Sequence, residues 1–240
     1  MTSLSLFSTS CLLTAFLSLM MGIFICCRGK KVLLSRIWAM MGLVVFLWSF
    51  SLFMVVNADK ENTAFFWQCI LDVSAIFIPA LFFHFTLSFL KPSLEKKEKL
   101  QLIIIYCVSL ALAILSFTSL FKVGVAPIFG FNFWIKPGPL YVLFPLFFVG
   151  LILYSSYLFV KKYSRAKEVI RLQIKYILLA ALLGFGGGAT NFFPQLIRVL
   201  PVGNYFVALY VLIIIFAITR YHLFEIRVIL TEILVGGMGI

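Results

Sequence analysis

Charge is what this chain has least of. Only 12% of its 240 residues are Asp, Glu, Lys or Arg, where a soluble domain carries roughly 25%. Acid is scarcest, with eight Asp and Glu against 20 Lys and Arg and a net charge of +12. The two histidines, His84 and His222, have no zinc-ligand spacing, so no metal is expected. The five cysteines, Cys11, Cys26, Cys27, Cys69 and Cys107, form no paired framework and read as small buried apolar groups. A lipid on Cys26 or Cys27 is the minor reading. No nucleophile–base arrangement stands out, and the glycines at 184 and 186–188 lack the Gly-Lys-Ser/Thr of a phosphate loop. Neither a catalytic residue nor a cofactor is expected. There is no internal repeat. No Lys or Arg precedes the first apolar run, which argues against a cleaved signal peptide.

Apolar length is what the chain has instead. It is 63% hydrophobic, with a mean hydropathy of +1.14. Seven continuous apolar runs cover residues 4–27, 37–56, 64–90, 102–121, 140–160, 176–193 and 205–219. A membrane-crossing helix needs about 20 such residues, and only helices or closed barrels satisfy the backbone in lipid. Barrel strands would alternate, and these runs do not. The expected fold class is all-α, a polytopic membrane bundle of seven transmembrane helices at 1–220. Residues 221–240 are expected to be a cytoplasmic linker in which an eighth span begins near Val228, the alternative being a short helix lying on the membrane face.

The basic residues fall on one side. Sixteen follow the first, third, fifth and seventh runs, and only Lys60, Lys122, Lys136 and Arg198 follow the others. Positive loops stay cytoplasmic, so the expected topology is N-terminus out and C-terminus in, in the cytoplasmic (inner) membrane. Short basic loops between spans argue for a lipid bilayer with anionic headgroups as partner and against nucleic acid.

Few side chains inside the runs carry chemistry. Asp72 lies eight residues past the start of the third run, about 12 Å along a helix. It reads either as a polar contact in an outward-facing sensing pocket or as a bonded packing residue. Trp67 and Trp134 are candidate signal contacts, with anchoring at the membrane interface slightly favoured. The loop 122–139, rich in aromatics, Gly and Pro, is expected to form a hairpin or lid over the outer mouth. His84 sits about 120° around the helix from Asp72, so no Asp–His relay is expected; the favoured reading is an ordinary interfacial His near the cytoplasmic headgroups, with Ser88 in bonding reach four residues on. Pro79, between them, is a candidate hinge. Gly184 and Gly188 have the small-xxx-small spacing of close helix approach, with a hinge as the less favoured reading. The seventh run has no Lys, so it cannot hold retinal as a Schiff base.

Four stretches, 36–50, 77–90, 171–180 and Leu200-Pro-Val-Gly-Asn204 with 217–228, resemble the N-terminal seven-transmembrane region of bacterial and archaeal sensor histidine kinases. The resemblance implies the signal-sensing input module of a two-component system, a receptor lacking its kinase domain. It also implies a homodimer, an unknown small-molecule or membrane signal, and a response regulator reached through the output domain. Movement of the seventh helix would pass through Arg220 and Glu225. His222 would not be the phosphoacceptor. The alternatives are a small-solute transporter or channel subunit, which predicts facing polar groups at mid-membrane, and a purely structural membrane subunit.

Overall fold

The computed structural model describes residues 2–29, 32–91 and 93–225. Seven helices among them are long and apolar enough to cross a membrane. They are α1 (Thr2–Arg28), α2 (Val32–Val56), α3 (Glu61–Leu90), α4 (Lys96–Leu115), α5 (Leu143–Tyr163), α6 (Glu168–Ala189) with its continuation, and a last span made of α8 (Asn204–Val207) and α9 (Leu209–Tyr221). Between α4 and α5 stands one hairpin, β1 (Lys122–Ile128) and β2 (Phe131–Pro137). The suggested eighth span lies outside the described residues.

Local chemistry sets several ends. α4 starts six residues before the apolar run because Glu95 and Glu98 form a capping box, each side chain accepting from the other end's backbone N–H. Lys91 adds an ion pair with Glu98, tying the end of α3 to the start of α4. The same helix stops at Leu115, earlier than its apolar run suggests. Residues 116–121 turn instead, so that Lys122 can begin a strand. α6 meets three glycines in a row and tightens into a 3-10 turn at Thr190–Phe192 before α7 (Phe193–Ile197). Thr190 and Asn191 donate to the carbonyls of Gly187 and Gly188, which occupies acceptors that the ending helix frees. Arg198 in the left-handed region closes α7. α3 runs unbroken across Pro79.

The hairpin turns through Phe129 and Gly130, both at positive φ (52° and 86°), with Ile128 facing Phe131. That is the two-residue turn whose twist suits a hairpin. An isolated two-stranded hairpin is marginal, and this one is held by the bundle. Phe131 and Trp134 pack on Phe7 of α1, ring centroids 4.9 and 6.2 Å apart, and Asn132 donates to Ala58 at the end of α2.

Glycines set the close helix contacts. A Cβ on Gly42 would lie 2.7 Å from the Ser18 carbonyl oxygen, and one on Gly187 would lie 2.6 Å from that of Gly203. α1 therefore meets α2, and α6 meets α8, backbone to backbone. Gly184 and Gly188 have looser neighbours, Tyr210 at 3.3 Å and Trp48 at 3.7 Å. Among the glycines of α6, the small-xxx-small pair thus does not make the tightest contact, which belongs to Gly187 between them.

Candidate sensing cavity

Helical stripes from α2, α3 and α6 turn inward and leave a cavity of about 80 Å³. α2 gives Trp38, Met41, Val45, Trp48 and Leu52, spaced by three and four as one helix face requires. α3 gives Gln68, Asp72, Ala75 and Phe82, and α6 gives Ile177, Ala181, Gly184 and Gly188. Phe144 and Phe148 of α5 and Tyr210 of α9 complete the wall, and Trp134 of the hairpin and Gln195 of α7 stand at one end.

That end is polar. Asp72 is 1% exposed and accepts a hydrogen bond from Gln68 Nε2 at 2.7 Å. Its other oxygen lies 2.9 Å from Lys122 Nζ. Lys122 is 3% exposed, donates to the Ser116 carbonyl, and has the rings of Phe65, Phe117 and Phe121 at 5.4, 5.8 and 5.9 Å. A carboxylate, a carbonyl and three π faces thus surround one ammonium, which is how a buried cation is made tolerable. The pair links the first residue of the hairpin to the middle of α3.

Beside it, Trp134 Nε1 donates to Gln195 Oε1, and Gln195 Nε2 donates to Tyr141 OH, both at 2.7 Å. Burial, with Asp72 adding, pushes the Tyr141 phenol well above its usual range, so it keeps its proton. One turn back, Asn191 Nδ2 donates to Asn204 Oδ1 at 3.0 Å, and Asn204 Nδ2 donates to Ser10 Oγ at 3.1 Å. Asn191 Oδ1 is buried and has no partner. The far end is apolar, closed by Trp38 and Phe82, although Trp38 Nε1 also lacks a partner.

Trp38 has a second neighbour. Phe224, 2% exposed, lies 5.5 Å from its ring and 6.0 Å from Phe85. It reaches them because His222 and Phe224 both take positive φ (51° and 63°), folding the chain under the bundle after α9. Gln173 Nε2 holds the Tyr221 carbonyl at 2.8 Å.

The sequence candidates divide. Asp72, Trp134, Gly184 and Gly188 line the cavity. Trp134 is buried and bonded, so it is no interface anchor. Trp67 is half-buried against Phe50 and Phe66 and is not among the lining residues. Pro79 is buried but is not among the lining residues either. Arg220 is exposed in the last turn of α9, and Glu225 is the last described residue. His84 bonds Tyr106 of α4 at 3.0 Å, not Ser88, because α4 packs on that face. Lys122, Gln68, Tyr141, Asn191, Gln195 and Phe224 escaped the sequence reading. Three of them had a signal: Gln68 with Asp72, and Asn191 with Gln195, are polar pairs at the i,i+4 spacing of a shared face. Among the described residues, no three His, Cys, Asp or Glu side chains cluster as metal ligands.

Residues 10–227 match the family described as the N-terminal 7TM region of histidine kinase. The chain belongs to that family, and its seven apolar helices make it a multi-pass membrane protein. No curated protein and no solved structure matches it.

Proposed function

We propose that this bundle is the signal-sensing input module of a sensor histidine kinase, and that the signal is read in the cavity between α2, α3, α6 and α9. The observation that carries the reading is the double role of Trp38. One part of it walls the cavity, and its ring is also a seat for Phe224, on the segment that leaves α9. Whatever fills the cavity differently in two states moves the packing of that segment, and a signal acts by binding those states unequally. The kinase part then acts in the cytoplasm through a second copy of the chain and a response regulator. The hairpin is extracellular and the basic loops are cytoplasmic, in the cytoplasmic membrane. Burial of Lys122 in its ion pair leaves still fewer free positive charges on the hairpin side, which supports that orientation.

The test is Phe224→Ala in the full-length kinase, reconstituted in vesicles. Removing the ring from its seat should shift basal autophosphorylation severalfold while the protein stays inserted. An unchanged basal level and an unchanged response to membrane extract would exclude this route of transmission.

A further inference from the structure

The cavity is small, and its size limits what can enter. One water takes up about 30 Å³ of liquid, so about 80 Å³ admits a molecule of about three heavy atoms with their hydrogens. The chemistry of that molecule follows from what the wall leaves unmet. Charge is already balanced, Asp72 by Lys122. The Gln195 amide is used at both ends, by Trp134 and by Tyr141. Asn191 is not. It lines the cavity and is 8% exposed. Its Nδ2 donates twice, to the Gly188 carbonyl and to Asn204 Oδ1, which fixes which end of the amide is oxygen. The remaining Oδ1 is buried without a donor, and a buried acceptor left so costs free energy.

Three kinds of small molecule compete for such a space. A buried water makes about three hydrogen bonds to unmet polar groups. Among the described lining residues, the other buried polar atoms without a hydrogen bond are Asp72 Oδ2, already ion-paired, and Trp38 Nε1 at the opposite end. An apolar gas suits the aliphatic and aromatic wall but leaves Asn191 Oδ1 unmet. A molecule with one hydroxyl on one or two carbons answers both, giving its hydrogen to the amide oxygen and its carbons to the wall. We propose that the cavity is a binding site for a short-chain alcohol of one or two carbons, with the hydroxyl donating to Asn191 Oδ1. This deepens the sensing reading and rests on it for its meaning, but binding is measured apart from kinase output.

So few atoms give an affinity that is millimolar at best, which suits saturation-transfer NMR. The chain is placed in phosphatidylcholine vesicles, which have no aromatic protons of their own. Aromatic protons of the protein are irradiated while ethanol is titrated. The expected result is a saturable transfer to the ethanol methyl group, displaced by methanol. Dimethyl ether has the same atoms as ethanol but no hydroxyl, and it should displace ethanol about tenfold more weakly. 1-Butanol should not displace it at all, although partitioning into lipid grows about fourfold per methylene. Gly188→Leu, which adds a side chain to the cavity wall beside Trp48, should abolish the saturable transfer. The ether and butanol comparisons need no substitution, so they decide the matter should that variant misfold. Transfer that never saturates, as bilayer solution or a water-filled site would give, overturns the proposal. So does dimethyl ether that competes as well as methanol, the mark of a dry apolar void, or 1-butanol that displaces ethanol. A kinase that ignores ethanol while the chain binds it would count against the sensing role and leave this site standing. A kinase that answers another signal, in a chain that binds no ethanol, would do the reverse.

Discussion

At the scale of the residue, the Asp72–Lys122 ion pair stands apart because both of its partners are buried. Both partners are out of reach of solvent, so removing one strands the other. Breaking such a pair costs about 3–5 kcal/mol, whereas replacing both partners by apolar groups is often close to neutral. Lys122→Met alone should therefore destabilise by about that amount, and Asp72→Leu with Lys122→Met should recover most of it. Denaturation in mixed micelles, run as a double-mutant cycle, measures the coupling; additive effects would mean that the pair contributes nothing. Half of this site was legible in the sequence. A lone Asp inside an apolar helix asks for a partner. Its partner was not legible, because a Lys at the end of an apolar run looks like any topological charge. Only the turn at 116–121 sends Lys122 back into the bundle.

At the scale of the element, the glycines of α6 have different tasks. Gly187 faces the backbone of Gly203, and neither can move aside. Gly187→Ala should cost about 1–3 kcal/mol by overpacking. Gly186 meets only a side chain of its own helix, so Gly186→Ala should be neutral or stabilise by up to about 1 kcal/mol from helix propensity. Thermal denaturation of the two variants gives the comparison, and equal effects would show that α6 and α8 are not locked there. All seven helices were legible as apolar runs. Their ends were less so, because hydropathy does not register a polar first turn. The capping box at Glu95 and Glu98 lies outside the fourth run, and the first turns of α6, with Glu168 and Arg171, lie outside the sixth. The hairpin was legible from its Gly, Pro and aromatic content. What that content hid was the direction of Trp134, which turns inward to Gln195.

At the scale of the whole molecule, the two ends of the bundle differ in kind. One carries the hairpin and the buried polar network. The other carries the basic loops and the segment 222–225, folded back so that Phe224 meets Trp38. In right-side-out vesicles, a membrane-impermeant maleimide should label Asp59→Cys, an exposed position on the hairpin side. It should reach Cys26 and Cys27, exposed at the opposite end, only after lysis. The reverse pattern would invert the proposed topology and put the sensing mouth in the cytosol.

The same Asp72–Lys122 pair constrains how the molecule is made. Asp72 lies on α3, and its counter-ion Lys122 follows it in the chain only after α4. A polypeptide cut off before Lys122 would therefore carry that acid on α3 without its counter-ion.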